Sequence, residues 1–534
     1  MVLRNRSRAQ REPARAAGAR RSRLIVLAAV LGVVMDGVDM SAVAVVNPLI
    51  ARDLDAGLAQ LQWVTNAYVL ATAVALITGG TLGDRFGHRR VFLAGLGGFA
   101  VGSVLAGTAG SAEMMIFWRV VQGACGAVLM PCSLAILRLA FPPDELKRVI
   151  GIWGGMMALT IAGGPFVGGV VADLAGWRWI FFVNVPIAAA AAMVTLAAVP
   201  AGRAGAAHRP LDPVGALLLG GVLFGAVWGL IRVPGAGWGD AGVLGAFAAA
   251  GALLVVLAVR SARVPHPLVP PALFRSRPFS VGMVISTIAP VPMFGAVFFI
   301  GLYLQNVRGL GPAQAGGVLV AVLALFALSA PVAGMLNQRL GPRPPLLCGA
   351  ALSTAGLLGL SRLDVDTPVA ALVPFLLLLG LGVGCTAPVA AEVVVANAPP
   401  ELAGVASGLQ HTAGMVGMSL GISVYGTLVS AGIGAVLPDR LAAAGLRQDA
   451  AAGITARTGE IAQGAVPAPD GLPPAVAEAA AGAVHAAFVH GAGLALLAGA
   501  AVAAAQIVPA AFASVRGGPG RPDDAVTPQA TMDR

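Results

Sequence analysis

The chain has 534 residues, of which 57% are hydrophobic and only 11% charged, against about 25% charged in a soluble domain. A water-soluble fold of this size cannot hide so much apolar surface behind so few charges, which excludes a cytosolic enzyme, a disordered chain and a secreted disulfide scaffold. The net charge of +10 would in a soluble protein suggest nucleic acid, so the placement of the cations decides what it means.

Residues 1–23 form a basic arm carrying eight arginines. The apolar run behind it is too long for the core of a cleaved signal peptide. From there, stretches of the roughly 20 apolar residues that a spanning helix needs recur fourteen times. They cover 24–50, 61–82, 91–110, 113–137, 149–172, 179–199, 213–232, 241–259, 279–305, 314–336, 344–361, 367–391, 404–430 and 486–513. They are rich in Gly and Ala, as suits helices that approach closely in lipid. Polar residues 200–212 and the basic, Pro-rich 260–278 break the series into six spans (24–199), an inserted pair (200–278) and six more (279–513). Residues 431–485, Ala/Gly/Pro-rich, are expected to form a poorly ordered outer loop, and 514–534 a tail.

An even number of spans puts both termini on one side. With the N-terminus cytoplasmic, 25 of the 34 cations fall inside and eight outside, with Arg119 within a span. That is the asymmetry of a membrane protein, not a nucleic-acid footprint, and the arm can also meet anionic lipid. The four cysteines (Cys125, Cys132, Cys348, Cys385) lie inside apolar runs. Neither a disulfide framework nor a metal site is implied, and no cofactor is expected. A weak internal repeat pairs the two sets of six: Gly80-Thr81-Leu82-Gly83-Asp84-Arg85-Phe86-Gly87 after the second span, and Gly334-Met335-Leu336-Asn337-Gln338-Arg339-Leu340-Gly341 after the tenth. Two similar halves with a site between them is a transporter architecture.

The loop after span 2 reads Gly80-x-Leu82-Gly83-Asp84-Arg85-x-Gly87-His88-Arg89-Arg90. Its glycines permit a tight turn, and Asp84 can meet an Arg or a helix N-terminus. A solvated positive-inside loop would look the same. The spacing also resembles the loop motif of the major facilitator superfamily, which has Arg or Lys where His88 stands. Further stretches resemble that superfamily's 14-span drug:proton antiporter family. They are Arg119-Val120-Val121-Gln122-Gly123 in span 4, Gly151 and Gly155 with Gly164-Pro165-Phe166-Val167-Gly168-Gly169 in span 5, and Trp177 to Pro186 at the span 5–6 junction. Leu211-Asp212-Pro213 opens the inserted pair and Gly404-Val405-Ala406-Ser407-Gly408 opens span 13 in the same way. The resemblance covers about residues 24–512.

Span 1 carries Asp36 and Asp39, three apart on one helix face. A carboxylate at that depth is expensive to ionise unless paired, so it can couple its protonation to transport. The resemblance gives Asp39 the position of the family's span 1 aspartate, nine residues before Pro48. Ala44 stands where the family has Asn, and Asn47 is new. Arg119, a permanent cation inside span 4, needs a carboxylate or a wet cavity. Asp39 is its natural partner, and snorkelling to the outer interface is the alternative. Gly151/Gly155 and Gly164/Gly168 form a stripe for close helix contact, and Pro165 can kink the helix. The resemblance adds that span 5 meets the opposite half and limits leak. Asn66, Gln122, Gln305, Asn306, Gln410 and His411 are candidate cavity-lining residues. Phe294, Phe298, Phe299 and Phe326 are candidates for apolar contact, and Glu392 and His490 are weaker polar positions. Gln338 replaces the motif's acid in the second loop, so any charge latch rests on Asp84, Arg85 and Arg89.

The expected protein is an all-α plasma-membrane protein of bacterial type with the major facilitator fold. Its fourteen helices are arranged 6 + 2 + 6 with both termini cytoplasmic. The resemblance implies a monomeric exporter of a small hydrophobic or amphipathic compound in exchange for protons, with no nucleic-acid partner. A major facilitator importer or facilitator is the nearer alternative. A membrane-embedded enzyme or sensor is the remote one. It would need a catalytic cluster or a folded soluble domain, and the longest non-membrane stretch, 431–485, reads as low-complexity with neither. The absence of a P-loop points to a secondary transporter.

Overall fold

The computed structural model describes residues 2–200, 212–466 and 474–514, and of these not the side chains of 2–19, Pro143, Lys147 and Pro400. The loop cations Arg203 and Arg209, most of the arm's side chains and the tail cations Arg516, Arg521 and Arg534 lie outside this description.

Fourteen long helices follow one another: α1 (Val2–Leu54), α2 (Leu58–Phe86), α3 (His88–Gly107), α4 (Ala112–Ala140), α5 (Pro143–Ala175), α6 (Arg178–Ala198), α7 (Pro213–Ala236), α8 (Ala241–Arg263), α9 (Arg277–Val307), α10 (Pro312–Leu340), α11 (Arg343–Leu360), α12 (Val369–Ala396), α13 (Ala403–Ala443) and α14 (Pro474–Ala511). Among the described residues, thirteen are long and apolar enough to cross a membrane. The other, α11, has 18 residues and opens on Arg343-Pro344-Pro345, which lowers its hydropathy.

Four helices are broken where proline removes a backbone donor: α6 at Val183 before Pro186, α14 at Gln506 before Pro509, and α4 and α9. In α4, helical segments Ala112–Gly126 and Leu129–Ala140 flank Ala127 and Val128, because Pro131 has no N–H for the Ala127 carbonyl. In α9, Arg277–Ile288 gives way at Ala289 to Pro290–Leu302, where Pro290 and Pro292 do the same. The repeated loops share a backbone device. Gly87 (φ 90) and Gly341 (φ 80) end α2 and α10, each donating its N–H to the carbonyl four residues back. Side chains rarely adopt that φ.

One expectation fails. Residues 431–485 are not a disordered loop. α13 continues to Ala443, further helices run Gln448–Ala456 and Thr458–Ile461, and α14 begins at Pro474. Only 467–473 fall outside the description. Alanine, read as low complexity, is the best helix former. Ile433, Leu437 and Leu441 repeat at four-residue spacing and are buried, as are Ile454 and Ile461.

The first six helices pack among themselves, with α1 along α5 and α6 and α2 along α4. In the second set α10 packs on α12, α11 on α12 and α14, and α13 on α14 and α9. Between the sets α5 lies along α10 and α2 along α13. The hairpin α7–α8 stands beside them, and α7 touches both α2 and α13. Its junction is fixed by Asp212. The carboxylate caps α7 through the Gly215 amide (2.7 Å), takes a hydrogen bond from Arg260 Nη1 (2.8 Å), and holds the Leu268 amide of the segment leading to α9 (3.0 Å). Burial works against its charge, but the Arg260 hydrogen bond and the two amides outweigh that and hold the carboxyl below its ordinary value.

A group with a depressed pKa contributes its stabilisation at neutral pH and loses it as pH falls through the folded value. Acidification below about pH 4 is therefore expected to release residues 264–276, read as increased mobility of a probe on His266→Cys. Asp212→Ala should release them already at pH 7, at a cost of about 1–2 kcal/mol. Unchanged mobility in both would show that the carboxylate does not hold this segment.

Candidate functional site

The interior of the first six helices holds a charged cluster. Asp39 of α1 is fully buried, and both of its carboxylate oxygens accept hydrogen bonds. Arg119 of α4 donates from Nη1 to Oδ2, while Gln122 Nε2 (2.8 Å) and Asn184 Nδ2 of α6 (3.0 Å) donate to Oδ1. Arg119 is only 1% exposed, so it does not snorkel. It also donates to Gln122 Oε1 (2.8 Å) and, from Nε, to the Val64 carbonyl of α2 (3.2 Å). Its guanidinium lies over the Tyr68 ring at 4.2 Å, a cation–π contact. Tyr68 in turn donates its hydroxyl to Asp36. One guanidinium thus serves two carboxylates, pairing with Asp39 directly and reaching Asp36 through a tyrosine.

The local sequence explains the geometry. The Arg119-x-x-Gln122-Gly123 spacing puts both donors on one helix face and leaves Gly123 against α2. A Cβ there would collide with the Tyr68 backbone, so glycine lets Arg119 reach Asp39. Three members escape sequence reasoning. Tyr68 is one of only three tyrosines in the chain but sits in an unremarkable apolar span. Asn184 lies in the Trp177–Pro186 stretch, where it carries resemblance and no stated role. Ser103 of α3, buried, receives a hydrogen bond from Asn184 (2.9 Å) and donates to the Phe181 carbonyl (2.7 Å). An isolated polar residue in a long apolar run was the available signal.

The candidate lining residues divide. Gln122 belongs to the charged cluster. Asn66 is buried in a polar seam between the halves and donates to Ser423 Oγ of α13 (3.0 Å). Gln62 donates to the Ile422 carbonyl (2.9 Å) and Thr412 to the Ala73 carbonyl (2.9 Å) along the same seam. Gln305 is buried against the Val45 carbonyl of α1 (2.7 Å), and Asn306 takes a hydrogen bond from Arg52 (3.0 Å). These five tie α9 and α13 to α1 and α2 and do not face an open cavity. Phe298 and Phe299 are buried, and Phe299 stacks with Tyr425 at 6.4 Å. Glu392 is exposed and accepts from Asn337 (2.6 Å), and His490 is exposed.

The glycines of α5 divide by depth. Gly164 and Gly168 pack against Ser41 and Ala42 of α1, and Gly169 against Pro312 and Ala313 of α10. Gly151 and Gly155 meet nothing within 4 Å at the position of a Cβ. The stripe therefore closes on one side only. At the other end, a cavity of about 560 Å³ opens between α2, α4 and α13. Its lining includes Gly80, Asp84, His88, Arg138, Gly404 and His411, with Gln410 half-buried beside His411. This is the basic face, which the positive-inside rule makes cytoplasmic. The halves are in contact away from the cytoplasm, and toward it this cavity opens beside a contact of Ile77 with the start of α13. Asp84 is exposed in the mouth of the cavity and paired with His88 (3.3 Å), Arg85 lies over Phe86, and Arg89 donates to the Leu196 carbonyl (2.9 Å).

Helical halves joined by an inter-half seam, with a charge pair buried in one of them, describe a membrane transporter. The family model of the Major Facilitator Superfamily matches residues 29–422, and the chain belongs to that superfamily. It is 42% identical over 487 residues to the tetracenomycin C resistance and export protein of Streptomyces glaucescens, covering 91% of this chain and 90% of that one. It is 33% identical to the puromycin resistance protein pur8 of Streptomyces alboniger, covering 78% and 83%. In fold it is similar to the inward-facing crystal structure of a bacterial homolog of the human lysosomal transporter Spinster. The TM-score is 0.64 at 16% identity, over 94% of this chain and 99% of that one. The protein is a multi-pass protein of the bacterial plasma membrane.

Removing one member of a buried ion pair strands the other at a cost of about 3–5 kcal/mol. Arg119→Leu is therefore expected to lower thermal stability strongly, and Arg119→Leu with Asp39→Asn to recover much of the loss. Additive effects in this cycle would contradict the pairing. Gly169→Val should hold α5 off α10. Its expected result is faster labelling of an Asn66→Cys seam residue by a membrane-impermeant thiol reagent from outside, and unchanged labelling would argue against the closure.

Proposed function

We propose that the protein exports a hydrophobic or amphipathic antibiotic across the plasma membrane in exchange for protons, by alternating access of the two six-helix halves. Support for export comes from the relatives, which are antibiotic resistance and export proteins. Support for proton coupling comes from a single arrangement: the buried Asp39 paired with Arg119, and the half-buried Asp36 reached from the same guanidinium through Tyr68.

The charge count assigns the roles. Arg119 with Gln122 and Asn184 stabilises Asp39 as the anion. Asp36 has the Tyr68 hydroxyl as a neutral donor, and a second charge at that depth without its own cation is costly. Asp36 is therefore the carboxyl assigned to carry the proton, and Asp39 would lose its charge partner when Arg119 leaves it. Arg119 also grips α2, through the Val64 carbonyl and the Tyr68 ring. The same helix carries Gln62 and Asn66 of the inter-half seam. A change of charge at Asp39 thus bears on the helix whose other face joins α13. Protons taken from outside would loosen the seam, and their release to the cytoplasmic cavity would restore it.

The remaining candidates take gating roles. Gly164, Pro165, Gly168 and Gly169 let α5 close the outer side. Gly151 and Gly155 would form the matching inner contact when the cytoplasmic side closes, which limits leak. Asp84, with Gly80, Arg85, Gly87 and Arg89 shaping its loop, would meet the N-terminal end of α13, where a carboxylate is favoured.

Proteoliposomes with an imposed pH gradient test the proposal. Asp36→Asn is expected to keep the fold and the Arg119–Asp39 pair but to lose gradient-driven export. Asp39→Asn should lose both export and stability. Export that ignores the gradient, or survives both substitutions, would remove proton coupling, and net inward flux would favour an importer.

A further inference from the structure

The segment between α8 and α9 has a construction that transport does not use. Residues 264–276, with the short helix Pro271–Phe274 against the end of α8, cross the cytoplasmic ends of the second half. Leu273 is buried in one apolar cluster with Phe279 of α9, Val394 of α12, and Ala406 and Leu409 of α13, and Ile77 of α2 packs against it. The other side faces out: Phe274 is 43% exposed, and Arg263, Arg275 and Arg277 are exposed. Among the described residues none of these three arginines is in an ion pair, whereas their neighbour Arg260 is bound to Asp212 (2.7 Å). Asp212 also holds the Leu268 amide, so the segment is pinned at the end of α8.

A strap with its apolar side on protein, and an aromatic ring and three unneutralised guanidiniums turned outward at the cytoplasmic ends of the spans, matches the headgroup region in depth and in charge. We propose that this strap binds the headgroups of anionic phospholipids. The arginines contact the phosphates, and Phe274 lies at the acyl boundary. The bound lipid then rests on the inner ends of α12 and α13, beside the mouth of the cavity. The occupant is a lipid because the surface pairs cations with an exposed ring at membrane depth.

The test uses the purified full-length protein in detergent, titrated with fluorescent phosphatidylglycerol. Arg263→Gln/Arg275→Gln/Arg277→Gln is expected to weaken binding at least tenfold. Arg90→Gln/Arg148→Gln, on the same face, should leave it unchanged. Equal losses in the two variants would mean a diffuse positive field and overturn the site. Asp212→Asn separates geometry from charge. Asn still caps α7 and the change adds net positive charge, so a diffuse field predicts tighter binding, whereas a strap held in place by Asp212 predicts at least threefold weaker binding. Phosphatidylcholine should not compete. Displacement by millimolar inorganic phosphate alone would mark a free-anion site and overturn the lipid assignment.

Discussion

The Arg119–Asp39 pair is the constraint on which the rest of this structure depends. A guanidinium cannot shed its charge inside a membrane, so it must be surrounded by acceptors. Here a carboxylate, an amide oxygen and a backbone carbonyl are each drawn from a different place in the fold. Supplying them brings α1, α2 and α4 together, and Asn184 adds α6. The glycine that follows Gln122 exists to allow the approach. Any change in the charge of Asp39 would then fall on the other two acceptors, so under the proposed coupling a proton there has mechanical consequences.

The contacts between the halves are unevenly distributed in depth. Where α5 meets α10, Gly169 and Gly316 face backbone, and Asp173 accepts from the Ala313 amide (3.0 Å). Where the cytoplasmic ends of α2, α4 and α13 diverge, a cavity holds Asp84, Arg138 and His411. Buried hydrogen bonds along α2 and α13 are neutral and few, and each offsets only about 1 kcal/mol. A seam of that strength holds and can still be released.

Much of the fold was legible in the sequence because lipid imposes one rule, a run of about 20 apolar residues per crossing. The weak likeness of the loops at Gly80–Gly87 and Gly334–Gly341 proved to be a shared backbone turn. Asp39, Arg119 and Gln122 stood out because charge and amide inside a span need a reason. The rest was hidden where identity does not reveal contact. Tyr68 and Ser103 matter for what lies across from them in three dimensions. Asn66 and Gln305 were read as cavity residues, because a polar side chain inside a helix looks the same facing water or facing another helix. The helices after residue 431 were missed because alanine-rich composition was read as low complexity and not as helix propensity.

The inserted hairpin has a consequence of its own. α7 leans on both halves at once: Phe224 meets Trp63 of α2 at 5.3 Å, and the Leu230 carbonyl accepts from Thr427 of α13 (3.0 Å). It therefore lies over the line along which the two bodies separate, on the flank that lipid would otherwise wet. Gln62, Asn66 and Ser423 could not be bared to acyl chains without a penalty for each unpaired polar group. Under the proposed alternating access, α7 would act as a gasket that keeps acyl chains off the parting seam. A twelve-helix body would have to keep its polar seam away from that flank, and the extra pair frees this one to place amides and hydroxyls there.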